Sequence, residues 1–427
     1  MNEQMIRKNN IKIYPIYKMF AWDLLFHFSI IYLFLTQVKG LSASQVLLAD
    51  SFYAFFCILF QIPCVSLIDL IGKKKAILLG NILATLSVVL LAVGNSFSLL
   101  IFIYLIQAIG YILKGICEPT ILSDSIPNSS VSSKIFSKID GKGTSYYFIF
   151  DAISSVATGF LYVINPYIPM VLCIICCIIS TVLSLEFNDI APSNKSKESN
   201  NLKSQFKDTL AIYKNIAKSN RLKCLLINAL LFWGIITVFK PLRSSVLVDL
   251  NIPEQYFGII IAIIQILSSI SAKKQEWFHK KLKNRALTFF SISITSSFII
   301  SGVLIICNIS YLTSVVSCFL MFFLVGIIKG SYIPLISKYL NSFSNSNANT
   351  KIFSVKTSLE NMGRVIVSLL ASFLLGITST SYTLIIIGCI FFVIFIFLLD
   401  YMKTKVGLKP GEYPEEDLIF SDEDYHS

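Results

Sequence analysis

Twelve apolar runs, each long enough to cross about 30 Å of hydrocarbon and each closed by a polar break, leave this chain few possible folds. They lie near residues 15–38, 43–68, 75–94, 97–122, 136–163, 166–187, 221–248, 254–272, 286–307, 310–337, 352–376 and 380–402. Inside a bilayer the backbone must hydrogen-bond to itself, so runs of this length predict twelve transmembrane helices in an all-α integral membrane protein. Composition agrees: 427 residues that are 55% hydrophobic and 14% charged, with mean hydropathy +0.73, are too apolar for a soluble chain to keep on its surface.

The basic residues test that map independently. If the first residues are cytoplasmic, the segments on that side hold thirty Lys and Arg and the opposite loops hold one, Lys39. A bias of this size places both ends of the chain inside and calls for an even number of spans. The formal charge of +12 then belongs to lipid-facing loops. No basic domain or stacked-aromatic module is present to read bases, so nucleic acid is not an expected partner. The first apolar run continues past signal-peptide length without a small-residue cleavage site, which predicts a retained first helix in a multi-pass protein of the plasma membrane. Residues 403–427 turn acidic after Lys409 and lose apolar periodicity, as a flexible cytoplasmic tail would.

The chain also repeats itself. Lys114-Gly115-Ile116-Cys117-Glu118-Pro119 returns as Lys329-Gly330-Ser331-Tyr332-Ile333-Pro334, and Lys134-Ile135-Phe136-Ser137 as Lys351-Ile352-Phe353-Ser354. Ser44-Gln45 parallels Glu254-Gln255, so three matches occur in order at a nearly constant offset. A duplicated six-helix unit explains them. The division falls at the longest polar break: residues 1–187 and 221–402 as halves, 188–220 as a cytoplasmic linker, and 403–427 as the tail.

Charged residues inside the runs are the candidate functional groups, because an ionisable side chain at membrane depth is costly and usually faces a cavity or a partner. The acids are Asp23, Asp50, Glu118, Asp151 and Glu360; the bases are Lys114, Lys240, Arg243, Lys329 and Arg364. Lys114/Glu118, Glu360/Arg364 and Asp23/His27 stand at i,i+4 and Lys240/Arg243 at i,i+3, so each couple shares a helix face. Lys240 and Arg243 cannot neutralise one another and need an acid from elsewhere, outside water or an anionic cargo. Asp23 with His27 forms the leading proton-coupling couple, a desolvated carboxylate beside a group that titrates near neutrality; Asp151 and Glu118 are the further candidates. Lys114, Lys240, Arg243, Lys329, Glu360 and Arg364 are candidates for a substrate cavity. Only the first copy of the Lys-Gly repeat has an acid beside it, so Lys329 is the less neutralised lysine.

Other chemistry has no sequence support. Cys173-Ile-Ile-Cys176-Cys177 has metal-site spacing, but apolar flanks and the lack of a nearby His make these cysteines packing residues. There is no Gly-x-x-x-x-Gly-Lys-Ser/Thr loop for ATP phosphates, and three scattered histidines make no metal site, so no cofactor is expected.

Val65-Ser66-Leu67-Ile68-Asp69-Leu70-Ile71-Gly72-Lys73-Lys74-Lys75, between spans 2 and 3, resembles the Gly-x-Leu-Ala-Asp-Arg-x-Gly-Arg/Lys-Arg/Lys loop of the major facilitator superfamily. Leu67, Asp69, Gly72, Lys73 and Lys74 match; Val65, Ile68 and Leu70 replace the first Gly, the Ala and the first Arg. With twelve spans in two halves the resemblance covers nearly the whole chain. It implies a gating loop at Asp69, Gly72, Lys73 and Lys74 that latches one access state, with Asp69 meeting the N-terminal end of a neighbouring helix. The charged spans 1, 2, 4, 5, 7, 10 and 11 are those that surround the central cavity of that fold. Glu118, Asp124 and Ser125 also resemble a span 4 signature of some bacterial exporters of this type. Tyr104 stands where the family's span 4 motif carries Arg, and the Gly-Pro motif of many drug/proton antiporters is absent from span 5.

These readings converge on a secondary active transporter, monomeric, using alternating access for proton-coupled efflux of a small amphipathic molecule. Import of an organic anion or nutrient by the same fold is the alternative, and a membrane-embedded sensor or enzyme is the alternative of another class.

Overall fold

A computed structural model describes residues 3–127, 132–190, 220–282, 285–307, 309–341 and 346–401. The linker from 191 to 219 and the tail from 402, including its acidic residues, lie outside the described residues.

The described chain is helical. In order, the elements are α1 (Glu3–Ala21), α2 (Ile31–Leu33), a π-helical turn (Phe34–Val38), α3 (Ala43–Ile71), α4 (Lys73–Val93), α5 (Phe97–Ser125), α6 (Ser132–Ile164) and α7 (Tyr167–Leu185). The second half contains α8 (Asn220–Asp249), α9 (Gln255–Lys273), α10 (Gln275–Leu282), α11 (Arg285–Cys307), α12 (Tyr311–Asn341), α13 (Ser346–Ile377) and α14 (Thr380–Tyr401). Eleven of these are long and apolar enough to cross a membrane among the described residues. They correspond in order to spans 2 through 12.

The first span departs from expectation. Helix α1 ends at Ala21, the chain runs through bends and turns to Ile30, and Phe26 adopts φ +63°. Asp23 contributes locally, since its Oδ1 accepts the Leu24 N–H at 3.0 Å in competition with helical bonding. Non-helical backbone at membrane depth is tolerated only when protein or a wet cavity covers it. Leu24, Leu25, His27, Ser29 and Ile30 are accordingly buried.

Two compact units result. Unit 1 is Met1–Leu41, Phe52–Phe206 and Pro253–Ala262; unit 2 is Ser42–Ser51, Lys207–Ile252 and Ile263–Ser427. The division is therefore not a simple cut at the linker, because the first turns of α3 and α9 are exchanged. Reciprocal bonds explain one exchange: Ser44 Oγ donates to Ser372 O at 2.7 Å, and Ser372 Oγ donates to Ser44 O at 2.8 Å.

Each unit repeats the same helix pairings. In unit 1, α4 packs along α5 and α7, and α1 along α6; in unit 2, α11 packs along α12 and α14, and α8 along α13. Numbered as spans, these are 3·4, 3·6 and 1·5 against 9·10, 9·12 and 7·11, which is the duplication in three dimensions. A core of Tyr14, Tyr17, Ala76, Ile77, Leu113, Cys117 and Phe187 fills unit 1. Asn81 fastens three helices within it, donating to Tyr17 Oη at 2.9 Å and accepting from Ser180 Oγ at 3.2 Å. Cys173, Cys176 and Cys177 are buried free thiols on α7.

A candidate substrate cavity and its charges

Helix α5 carries Tyr111, Lys114, Gly115, Glu118 and Pro119 at i, i+3, i+4, i+7 and i+8, one continuous face. On α1, Tyr14, Lys18 and Ala21 form a matching stripe that continues to Trp22, and α6 adds Phe136 and Asp140. Together they line an open cavity of about 460 Å³ within unit 1.

Its charges are arranged unequally. Lys18 Nζ donates to Asp140 Oδ1 at 2.5 Å, and Tyr14 Oη donates to the same oxygen at 2.6 Å. The Lys18 ammonium also stands 4.4 Å from the centroid of the Trp22 ring. Lys114, 4% exposed, makes no ion pair within 4 Å among the described residues. Its Nζ lies instead 4.6 Å from the centre of the Tyr111 ring, a contact worth about 0.5–2 kcal/mol. Glu118, 9% exposed, feels the charges of both Lys18 and Lys114 without touching either. Hence the Lys114/Glu118 couple shares a face, as the spacing requires, but not a salt bridge. Pro119 adds a further polar group: it has no N–H to donate to the Gly115 carbonyl one turn back, and both residues border the cavity.

The expected couples in unit 2 are also rearranged. Glu360 pairs with Lys356 at 2.7 Å, one turn before it, and not with Arg364, one turn after. Arg364 places its planar guanidinium over Trp233, 5.2 Å from the ring centroid. Asp50 is half-buried under the attraction of Lys240 and Arg364. Arg243 is buried beside Phe239, and its Nε has no acceptor among the described residues. Lys329 is half-buried on α12.

Two further sites change meaning. Asp23 and His27 both lie on the non-helical stretch after α1 and not on a helix; Asp23 is half-buried and His27 buried beside Phe28. Asp151 is buried on α6 and does not line the cavity. In the loop between α3 and α4, Gly72 takes φ +85°, a conformation that costs other residues. Asp69 is exposed, and the N-terminal end of α4 is met by another acid: Asp189 Oδ1 accepts the Lys74 N–H at 2.8 Å. Lys73 pairs with Asp124 at the end of α5, and Lys74 Nζ donates to Asn188 Oδ1 at 3.0 Å. The loop is thus tied to residues of its own unit.

Sequence reading missed Lys18, Asp140, Tyr14 and Trp22. Lys18 counts as a cytoplasmic charge if only its position at the head of span 1 is considered, and Asp140 lies close to the start of span 5. The i,i+4 spacing of Tyr14, Lys18 and Trp22 was the available signal.

A Major Facilitator Superfamily model matches residues 17–321. This chain is a member of the major facilitator superfamily. No curated protein matches it in sequence. Among solved structures it is similar to the nucleoside transporter NupG, with TM-score 0.73, 12% identity and coverage of 95% of this chain and 100% of that one. It is also similar to a mutant of the peptide transporter POT in complex with sulfate, with TM-score 0.68, 14% identity and coverage of 95% and 99%. A bacterial homologue of the human lysosomal transporter Spinster, inward-facing and unoccupied, gives TM-score 0.64 at 11% identity over 93% and 95%. At these identities the likeness shows the fold alone. Membership makes this facilitator a multi-pass membrane transporter.

Proposed function

We propose that this facilitator is a monomeric secondary active transporter of the plasma membrane, with cytoplasmic termini, that exports a small amphipathic molecule in exchange for protons. One observation carries the reading: a cavity between α1 and the span-length helices α5 and α6 whose walls combine two lysines, two carboxylates and aromatic rings. The aromatic walls take the apolar body of the cargo, and its polar end meets Lys114 and Glu118. Glu118 carries the proton. A carboxylate can hold a proton or the donor group of a cargo but not both, and that competition gives exchange. The match of Glu118, Asp124 and Ser125 to the exporter signature supports the outward direction. Asp124 and Ser125 act at a distance from the cavity, through Lys73 and through Asn10 Nδ2, which donates to Ser125 Oγ at 3.0 Å.

Import of an organic anion is the second reading, favoured by the absence of an ion pair at Lys114 among the described residues. Everted vesicles separate the two. Under an inward-acid gradient, the exporter accumulates a member of a panel of amphipathic dyes, an uncoupler abolishes the uptake, and Glu118→Gln removes its gradient dependence. Gradient-independent uptake by the unaltered protein would refute proton exchange. Proton-driven movement of organic anions out of everted vesicles would establish import.

A further inference from the structure

Only one residue, Lys274, separates α9 from α10, and two separate α10 from α11. Since α9 and α11 are both span-length helices, α10 has no slack with which to leave the membrane boundary. Its inward side is fixed at two points. Phe278 packs edge-on against Phe290 of α11, with centroids 4.9 Å apart, and His279 Nδ1 lies 2.8 Å from Tyr339 Oη of α12. Trp277, Lys280 and Lys281, at i, i+3 and i+4, are all exposed on the other side. Trp277 is 53% exposed, and Lys281 Nζ stands 4.4 Å from the centroid of its ring, so indole and ammonium form one unit. Residues 273–285 contain six Lys/Arg and a single acid, Glu276.

We infer that the Trp277–Lys280–Lys281 face of α10 binds the phosphate headgroups of anionic phospholipids. An indole settles where one part can be apolar and another wet, and ammonium groups beside it attract a negative surface. The fixed inner side holds the face in register for this, so little ordering is required on binding. The acidic tail beyond Lys409 is the competing occupant, and the test includes it.

The full chain carries three tryptophans, so Trp22→Phe with Trp233→Phe leaves Trp277 as the sole reporter. That protein is reconstituted in phosphatidylcholine vesicles containing phosphatidylglycerol, with bromines on the acyl chains of one lipid or the other. Brominated phosphatidylglycerol should quench Trp277 more than brominated phosphatidylcholine at equal mole fraction. Lys280→Gln and Lys281→Gln should each reduce that preference about fivefold. Equal quenching by the two lipids overturns the inference. So does a preference that survives both lysine substitutions, or one that emerges only after truncation at Tyr401, since the tail would then hold the site.

Discussion

The two copies of Lys-Gly-x-x-x-Pro share a backbone defect and have opposite surroundings. In each, proline cannot donate to the glycine carbonyl one turn earlier. A Cβ on Gly115 would meet nothing within 4 Å, and the residue borders the cavity. A Cβ on Gly330 would stand 2.1 Å from the Ser268 carbonyl oxygen, because α12 and α9 meet backbone to backbone there. Ser331 Oγ reinforces that contact by donating to Ser271 O at 3.0 Å. The acid follows the cavity: Glu118 has its counterpart in Ile333, which is 41% exposed. Duplication supplied one pattern, and the halves use it as a cavity wall in one place and a helix seam in the other.

The strongest way to break this contrast is to fill both glycines. Gly330→Leu should leave no folded transporter in detergent, since a backbone oxygen cannot move aside as a side chain can. Even Gly330→Ala should lower stability by about 1–3 kcal/mol, read as a lower melting temperature by size-exclusion chromatography. Gly115→Leu should fold and melt normally but lose transport, because its side chain enters the cavity. Equal melting of Gly330→Ala and the unaltered protein would remove the seam from the account.

The lysines come next. Lys114→Met should reduce transport at least tenfold with expression intact, a loss of about 1.4 kcal/mol or more of binding or turnover. Lys329→Met should reduce it less, although sequence alone marks Lys329 as the lysine without an acid beside it. Reversal of that order would move the polar end of the cargo to unit 2. A smaller effect is expected at Asp140→Asn, which strips the charge partner from Lys18 and should cost about 1–2 kcal/mol, tempered by the partial exposure of the carboxylate. Normal melting together with lost transport would make Asp140 a functional group and not a positioning one.

What was legible in the sequence divides along the same physical line. Span length, inside charge and the repeat depend on one-dimensional patterns, and the fold follows from them. The candidate cavity was half legible: the α5 face is a stripe in sequence, whereas Lys18 and Asp140 meet across 122 positions. Ion-pair choice was not legible for a simpler reason. Glu360 has a cation one turn away in each direction, and spacing cannot say that Lys356 takes the carboxylate while Trp233 takes Arg364. The break at Trp22–Ile30 has no proline or glycine to announce it.

The smallest expected effect tests the other difference between the halves. Between α3 and α4 the chain turns tightly at Gly72, whereas its counterpart between α9 and α11 carries the helix α10. The tight turn leaves the first N–H groups of α4 in need of acceptors, and Asp189 supplies one while its Oδ2 would lie 2.9 Å from a Cβ on Gly72. A carboxylate at that position acts both as a cap and as a charge against the positive end of the helix. Asp189→Ala should therefore cost about 1 kcal/mol, a shift of a few degrees in melting. Asp69→Asn, at an exposed position, should leave melting within error. If instead Asp69→Asn destabilises and Asp189→Ala does not, the family's loop aspartate holds α4 after all, and the loop is not tied to its own unit through Asp189.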